Sequence, residues 1–455
     1  CGRKGKFRIL NRNRKNMRNL ILSDKAEEMD VGFTARRLKC LLTDYLASPE
    51  YEKKIIPGKI IRLTGILKLM PSEENSNILD YLVEVNHVEP VEQEEDIVIT
   101  EDDIKQIKEL SKDPDILKKL GESLLPNIII DEEIKQSFVL QIFGCNPKTK
   151  RRASMHIIII GDPATGKSAI AKEILRIAPG GYTSATGATT KGLTAIPEKD
   201  ELLGCWTAKV GPLIQYNRKL CIIDEFGEID EEQQGDLNEV MSEETFHFDK
   251  ASLHLTFQTK TSILALANPI YGKFDMTDDI VRQLGIKAST LTRFDLVWIL
   301  TDKFDEKKDR KIIRAMIGAF TDKKEEQPVS DMVFKKYIQY AKKHIPLITD
   351  DAKEYIEDCF IKFRNFDADS KNKSVSNRYG EALIRLSEAI ARVKLKDITV
   401  NEVKEAHKIL QKNIQNRAYN PTTGKLEIDK LDFESIPSEK RGKEQFIIEI
   451  IRDLK

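Results

Sequence analysis

The stretch Gly161-Asp162-Pro163-Ala164-Thr165-Gly166-Lys167-Ser168 places two glycines, a lysine and a hydroxyl at the spacing GxxxxGK[ST]. Residues of these types at this spacing hold phosphate. The glycines let backbone amides wrap phosphate oxygens, and a helix running from Ala169 to Ile177 adds the favourable end of its dipole. Lys167 is then set to reach the β and γ phosphates of ATP, and Ser168 to ligate magnesium. A ligand-free Gly-rich turn is the alternative. It fits less well, because the buried strand Ile157 to Ile160 leads directly into the loop and a helix leads out of it.

Further along, Leu220-Cys-Ile-Ile-Asp224-Glu225 is a second apolar strand ending in two carboxylates. Alone, such a pair is a strand end meeting solvent. Downstream of a phosphate loop it becomes the expected partner: Asp224 holds the magnesium through water, and Glu225 orients and deprotonates an attacking water. A third strand, Ile263 to Ala267, ends at Asn268, whose amide could position the same water. Arg293 in Leu291-Thr-Arg-Phe-Asp295 puts a guanidinium at a domain edge, either as an arginine finger or in a local salt bridge. Phe246 and Phe248, then Leu253, Leu255 and Phe257, alternate with polar residues around Asp249-Lys250-Ala-Ser252, a hairpin with Lys250 at its tip. Lys250 could face a phosphate backbone there, or simply guard a β edge.

The elements that position these residues follow from the patterning. Between Met155 and Leu300 four apolar strands, the last being Leu296 to Leu300, alternate with amphipathic segments, which predicts a parallel sheet covered by helices on both faces. From Lys311 onward the pattern is helical and reads as a lid. Before the sheet, Lys59–Gly65 and Leu79–Val85 read as strands of a small β domain, followed after Pro90 by an acidic linker, with helical spacing from Ile104.

Composition is neutral on partners, since 74 basic residues balance 74 acidic ones. The distribution is uneven. Arg3 to Arg18 holds eight basic residues and no acidic one, and Glu89 to Asp103 the reverse. The basic run reads as solvated surface or as a phosphate-facing segment. Six scattered cysteines without a CxxC pair suggest a reducing, cytoplasmic setting, and no apolar run is long enough for a membrane span.

Taken in order, GDPATGKS (161–168), IIDEFGEID (222–230), LANP (266–269), LTRFDL (291–296), SNRYGEALIRLSEAIARVKL (376–395) and NPTTGKLEID (420–429) resemble the MCM replicative helicases of the AAA+ superfamily, particularly archaeal ones. The resemblance extends upstream, more weakly, through TARRLKC and PGKIIRLTGIL. It implies an ATP-dependent DNA helicase that hydrolyses Mg-ATP at subunit interfaces of a ring, normally a hexamer, and moves along single-stranded DNA without sequence preference. It also implies that the β domain is an oligonucleotide-binding fold, that Arg293 is a finger reaching a neighbouring subunit, and that Arg378 is the sensor-2 arginine acting across the same interface. By the same resemblance Thr183 to Gly211 is a helix-2 insert, Phe246 to Thr259 a presensor-1 hairpin, and Lys250 its DNA-contacting lysine. The expected cell is archaeal in type.

The boundaries so implied are 1–95 for a partial N-terminal region, 96–110 for an acidic linker and 111–325 for the ATPase core. A helical lid follows at 326–415, and 416–455 forms a linker and the start of a truncated winged-helix domain, with its opening helix at Gln445 to Leu454. Cys1 resembles the last ligand of a zinc ribbon whose other cysteines are absent, so no complete zinc site is expected within this chain. The chain departs from the family in Ala164-Thr165-Gly166, in Gly227-Glu228-Ile229 and at Gly380, which marks a divergent member, and by the resemblance of its two ends a fragment cut inside domains is expected. Two other functions fit the residues. One is a different insert-bearing AAA+ ATPase, of the chelatase or transcription-activator type, although Gly187-Ala-Thr-Thr-Lys191 is not the activators' GAFTGA loop. The other is a nucleotide-switched DNA-binding or loading protein that does not unwind.

Overall fold

A computed structural model describes residues 16–23, 37–48, 51, 55, 60–71, 79–91, 98–147, 151–163, 165–186, 192–200, 205–250, 253–275, 280–301, 306–320, 327–368, 377–420 and 425–426. The chain divides into two compact units, a mainly N-terminal one of residues 1–96 that also takes in 197–210 and 249–257, and a larger one made of the rest. In the N-terminal one, β1 (Met17–Ser23), β2 (Arg37–Thr43), β3 (Ile61–Pro71) and β4 (Leu79–Pro90) form a four-stranded sheet in the order β1-β2-β4-β3. β2 and β4 run parallel, and the outer pairs antiparallel. Cys40, Leu42, Leu46, Val85 and Val88 are buried together and supply its small core. The expected small β domain is therefore present.

The larger unit opens with α1 (Glu101–Leu110), α2 (Ile116–Leu124) and α3 (Glu132–Phe143). The first of these corrects the linker expected at 96–110. Thr100 caps the helix, accepting from the Asp103 backbone amide while the Asp103 carboxylate takes the Thr100 amide at 2.8 Å. Acidic residues that suit a solvated linker suit a helix N-terminus equally well, because they complement its dipole. Asp103 also pairs with Lys336 at 2.7 Å, fastening α1 to the lid.

The sheet follows. β5 (Ile157–Gly161) leads into α4 (Lys167–Ile177), then β6 (Gly180–Ser184), the strand pair β7 (Ala195–Asp200) and β8 (Cys205–Val210), and α5 (Pro212–Gln215). β9 (Leu220–Asp224) precedes α6 (Glu231–Glu243), the hairpin strands β10 (Thr245–Lys250) and β11 (Leu253–Gln258), and β12 (Ser262–Ala267). Short helices α7 (Ile280–Leu284) and α8 (Ala288–Leu291) lead to β13 (Leu296–Leu300) and α9 (Glu306–Phe320). The main sheet has five parallel strands in the order β13-β5-β12-β9-β6. Its central strands are apolar on both faces because both are covered, and Ile157 through Ile160 are fully buried.

The lid comprises α10 (Asp331–Lys342), α11 (Asp350–Ala368), α12 (Arg378–Val393) and α13 (Val400–Ala418). It is held to the sheet by more than apolar packing. β13 is an edge strand, and Asn413 and Asn416 of α13 satisfy its outward groups. Asn413 Nδ2 donates to the Val297 carbonyl at 2.8 Å, and Asn416 Oδ1 accepts from the Ile299 amide at 2.7 Å. Backbone groups that would otherwise invite another strand are thus paired within the chain. The expected winged-helix opening at Gln445 to Leu454, Cys1 and most of the basic run lie outside the described residues. No helix among the described residues is long and apolar enough to cross a membrane.

Candidate functional site

The phosphate loop closes the C-terminal end of β5. Gly161 lies so near β13 that an added Cβ would sit 2.8 Å from the Leu300 carbonyl oxygen. Gly166 is in the left-handed region, φ 83°, immediately before α4, where a Cβ would be strained. This turn starts the helix at Lys167 rather than at Ala169. Pro163, Ser168 and Ala169 are exposed at the loop surface, and Thr165 Oγ1 donates to the Asp162 carbonyl at 2.8 Å; Ala164 lies outside the described residues. Lys167 is only 7% exposed, and its Nζ donates to the Gly161 and Asp162 carbonyls, both at 2.7 Å. Burial lowers its pKa, opposed by the charges of Asp162 and Asp224. The buried Asp162 accepts from the Phe274 amide at 2.7 Å, which ties the loop to the segment after β12.

The two carboxylates leave the end of β9. Ser168 Oγ donates to Asp224 Oδ2 at 3.4 Å, and the Tyr182 hydroxyl on β6 donates to the same oxygen. The hydroxyl and the carboxylate form a set of hard oxygen donors, the chemistry magnesium selects. Glu225 adopts left-handed backbone angles, φ 55° and ψ 37°, uncommon for a residue with a side chain. Its Oε2 accepts from Ser184 Oγ at 2.6 Å and from Thr186 Oγ1, and these two hydroxyls hold its pKa below the usual carboxylate range. Asn268 is exposed at the end of β12, which pairs with β5 on one side and β9 on the other. Register therefore places Asn268 between the phosphate loop and the carboxylates.

Arg293 stands elsewhere. It precedes β13, whose Leu296 pairs with Ile157 at the start of β5, whereas Gly161 pairs with Leu300 at the other end. At about 3.3 Å per residue the two ends are roughly 13 Å apart, beyond the reach of an arginine side chain. The guanidinium lies against α6 and α8: Nε donates to the Asn238 carbonyl at 3.1 Å and Ser242 Oγ at 2.7 Å, and Nη1 to the Ser289 carbonyl. Arg378, the first residue of α12, donates to Thr292 Oγ1, so both arginines meet at the same end of the sheet. The neighbouring Asp295 is ion-paired to Arg152 and Arg385.

Lys250 is the last residue of β10, one position before the turn, so the strands run further toward the tip than the alternation suggested. The orientation of its side chain and the turn residues 251 and 252 lie outside the described residues. β7 and β8 form a second two-stranded element within the stretch 183–211. Among the described residues no group of three or more His, Cys, Asp or Glu side chains could hold a metal ion.

Comparison with known proteins accounts for this architecture. Residues 103–320 match the MCM P-loop domain and residues 332–414 the MCM AAA-lid domain. The minichromosome maintenance protein MCM of Saccharolobus solfataricus is 30% identical over 100% of this chain and 68% of its own length. The chain belongs to the MCM family. An uncharacterized MCM-type protein of Methanocaldococcus jannaschii is 32% identical over 90% of the chain and 63% of its own length. The DNA replication licensing factor MCM4 of Arabidopsis thaliana is 28% identical over 95% and 55% respectively. The chain thus spans between about half and two thirds of the length of these MCM relatives.

Several residues of this MCM site escape a sequence reading. Tyr182, Ser184 and Thr186 surround the carboxylates, yet Gly180-Gly-Tyr-Thr-Ser184 lacks the apolar run that marks the other strands. Its parallel pairing with β9, which sets Ser184 beside Asp224, is a tertiary fact. Arg152 and Arg385 carry no pattern of their own in the sequence, and only the fold places Asp295 between them.

Proposed function

We propose that this chain is the ATP-hydrolysing motor of an MCM-type DNA helicase, working in a ring of copies in which each site is completed by a neighbour. The observation that carries this reading is the separation of the two half-sites. Lys167, Ser168, Asp224, Glu225 and Asn268 gather at the C-terminal ends of the parallel strands, while Arg293 and Arg378 sit together at the opposite end. Arginines so placed serve a nucleotide held by another subunit, which requires a heterologous, ring-forming contact.

Within one site the amides of residues 161–168 and the Lys167 ammonium bind the phosphates of ATP. Ser168 and Asp224 would hold magnesium, which would supply positive charge to offset that of the phosphates. Glu225, kept ionised by its hydroxyl partners, turns from Ser184 and Thr186 to take a proton from the attacking water, and Asn268 orients that water. Arg293 and Arg378 of a neighbour stabilise charge on the transferred phosphoryl group. The hairpin carrying Lys250 transmits the cycle to a single DNA strand through phosphate contacts.

A strand-displacement assay run beside a DNA-stimulated ATPase assay tests this reading, with Glu225→Gln as the inactive reference. The expected result is unwinding that requires ATP and disappears in the variant. DNA-stimulated hydrolysis without displacement would assign the chain to a nucleotide-switched loader. Hydrolysis indifferent to DNA would assign it to another insert-bearing ATPase.

A further inference from the structure

The segments that carry the two arginines assigned to a neighbour's nucleotide are linked through a common buried group. Asp295 is 1% exposed, and its Oδ1 accepts from Arg152 Nη2 at 2.8 Å and from Arg385 Nε and Nη2 at 2.9 and 2.6 Å. Its Oδ2 accepts from the His156 amide at 2.8 Å, at the start of β5. Arg152 continues the connection: Nη1 donates to the Arg293 carbonyl at 2.8 Å and to the Met241 carbonyl at 3.2 Å on α6, the helix that also receives the Arg293 guanidinium. Arg385 lies two helical turns along α12 from Arg378, so one face of that helix is pinned to Asp295 and to Thr292 on either side of Arg293.

We infer that Asp295, Arg152 and Arg385 form a positioning hub, which sets the Arg293 segment and the start of lid helix α12 as one piece and presents both trans-acting arginines to the neighbouring subunit's nucleotide in register. The inference rests on the shared-site reading above and extends it to residues that touch no nucleotide.

Three charges gathered at one buried point are a poor source of stability, because desolvation offsets most of their attraction. Their geometry is what an apolar cluster could not reproduce. A two-pronged guanidinium contact fixes direction as well as distance, and here it fixes the lid to the segment bearing the finger. Asp295 remains ionised: burial pushes its pKa up, but Arg152 and Arg385 together outweigh burial.

The test uses Arg385→Met, which leaves Asp295 paired with Arg152 and so strands no buried charge, together with Arg385→Lys, which keeps the charge but loses the fork. Arg385→Met is expected to lower kcat for ATP about tenfold or more while changing KM by less than about twofold, because its own phosphate loop is intact. Arg385→Lys should lie between it and the parent. The distinguishing readout is complementation in mixed rings. Arg385→Met is defective as a donor of arginines and competent as a receiver, so Lys167→Ala subunits should restore ATPase activity and Arg293→Ala subunits should not. A merely structural role predicts no such direction. Unchanged kcat, or rescue by neither or by both partners, overturns the hub. Should Arg385→Met fail to assemble, the same mixtures are made with Arg385→Lys, and parental kcat in that variant overturns the hub too. The control mixture of Lys167→Ala with Arg293→Ala separates the two claims: its failure removes the shared site, and its success alongside a negative Arg385 result removes the hub alone.

Discussion

Glu225, the proposed base, is held under constraint. Its backbone is in the left-handed region and its carboxylate is engaged by Ser184 and Thr186, which favour its charged form and reduce its basicity. Removing a hydroxyl reverses this. In Ser184→Ala the Glu225 pKa rises, and because hydrolysis needs the ionised form, the acid limb of the pH–rate profile should move to higher pH. An acid limb shifted downward or unmoved would show that Ser184 does not act on the Glu225 charge. Glu225→Gln, which removes the base while keeping the shape, should bind ATP near normally and lose about 10² or more in kcat, read in a single-turnover experiment. Turnover near that of the parent would dismiss Glu225 as the base.

At the scale of elements, four strands, the phosphate loop and the lid were legible because each obeys a local rule: an apolar run of strand length, a glycine spacing, or a helical period. β6 was not, since its residues are small and polar and only their pairing with β9 makes them a strand. Of the helix at 101–110 only the part from Ile104 was legible as helical, because an acidic first turn satisfies both a solvated linker and a helix N-terminus. Gly380, one of the departures from the family pattern, illustrates the reverse: a glycine weakens a helix, and the structure says what would repair it. An alanine Cβ would lie 3.4 Å from the Phe360 ring, in ordinary contact. Gly380→Ala should therefore stabilise α12 by about 1 kcal/mol, raising the thermal midpoint by about 2–4 °C in a melting scan. A lower midpoint would mean that the Phe360 ring cannot accept the methyl group. The β10–β11 hairpin carries its own prediction. If Lys250 contacts a DNA phosphate, Lys250→Ala should flatten the logarithmic dependence of single-strand affinity on salt by about 0.7 per contact removed. It should also reduce unwinding, with hydrolysis in the absence of DNA as the reference. An unchanged slope would leave Lys250 as an edge-guarding residue.

At the scale of the whole molecule, a net charge of zero gives no global attraction to DNA, so on the proposed reading the grip on it is local and assembly supplies the rest of the function. The decisive question is whether one active site is shared by two copies. In a ring assembled at random from Lys167→Ala and Arg293→Ala subunits, an interface works only when the first kind donates its arginine to the intact phosphate loop of the second. That arrangement occurs with a probability equal to the product of the two fractions, so activity should peak at an equal mixture, with about one quarter of interfaces competent. Each variant alone should be nearly inactive, since an arginine finger contributes about 10³ to 10⁵ in rate. Activity should fall symmetrically on either side of the equal mixture, and it should be absent when a doubly substituted subunit, lacking both Lys167 and Arg293, replaces either partner. If Arg293 instead served its own subunit, every ring would contain only dead sites and no mixture would recover activity. A flat, inactive titration in rings shown to contain both subunits would therefore remove the shared site and confine the effect of Arg293 to its own subunit, where it packs against α6 and α8.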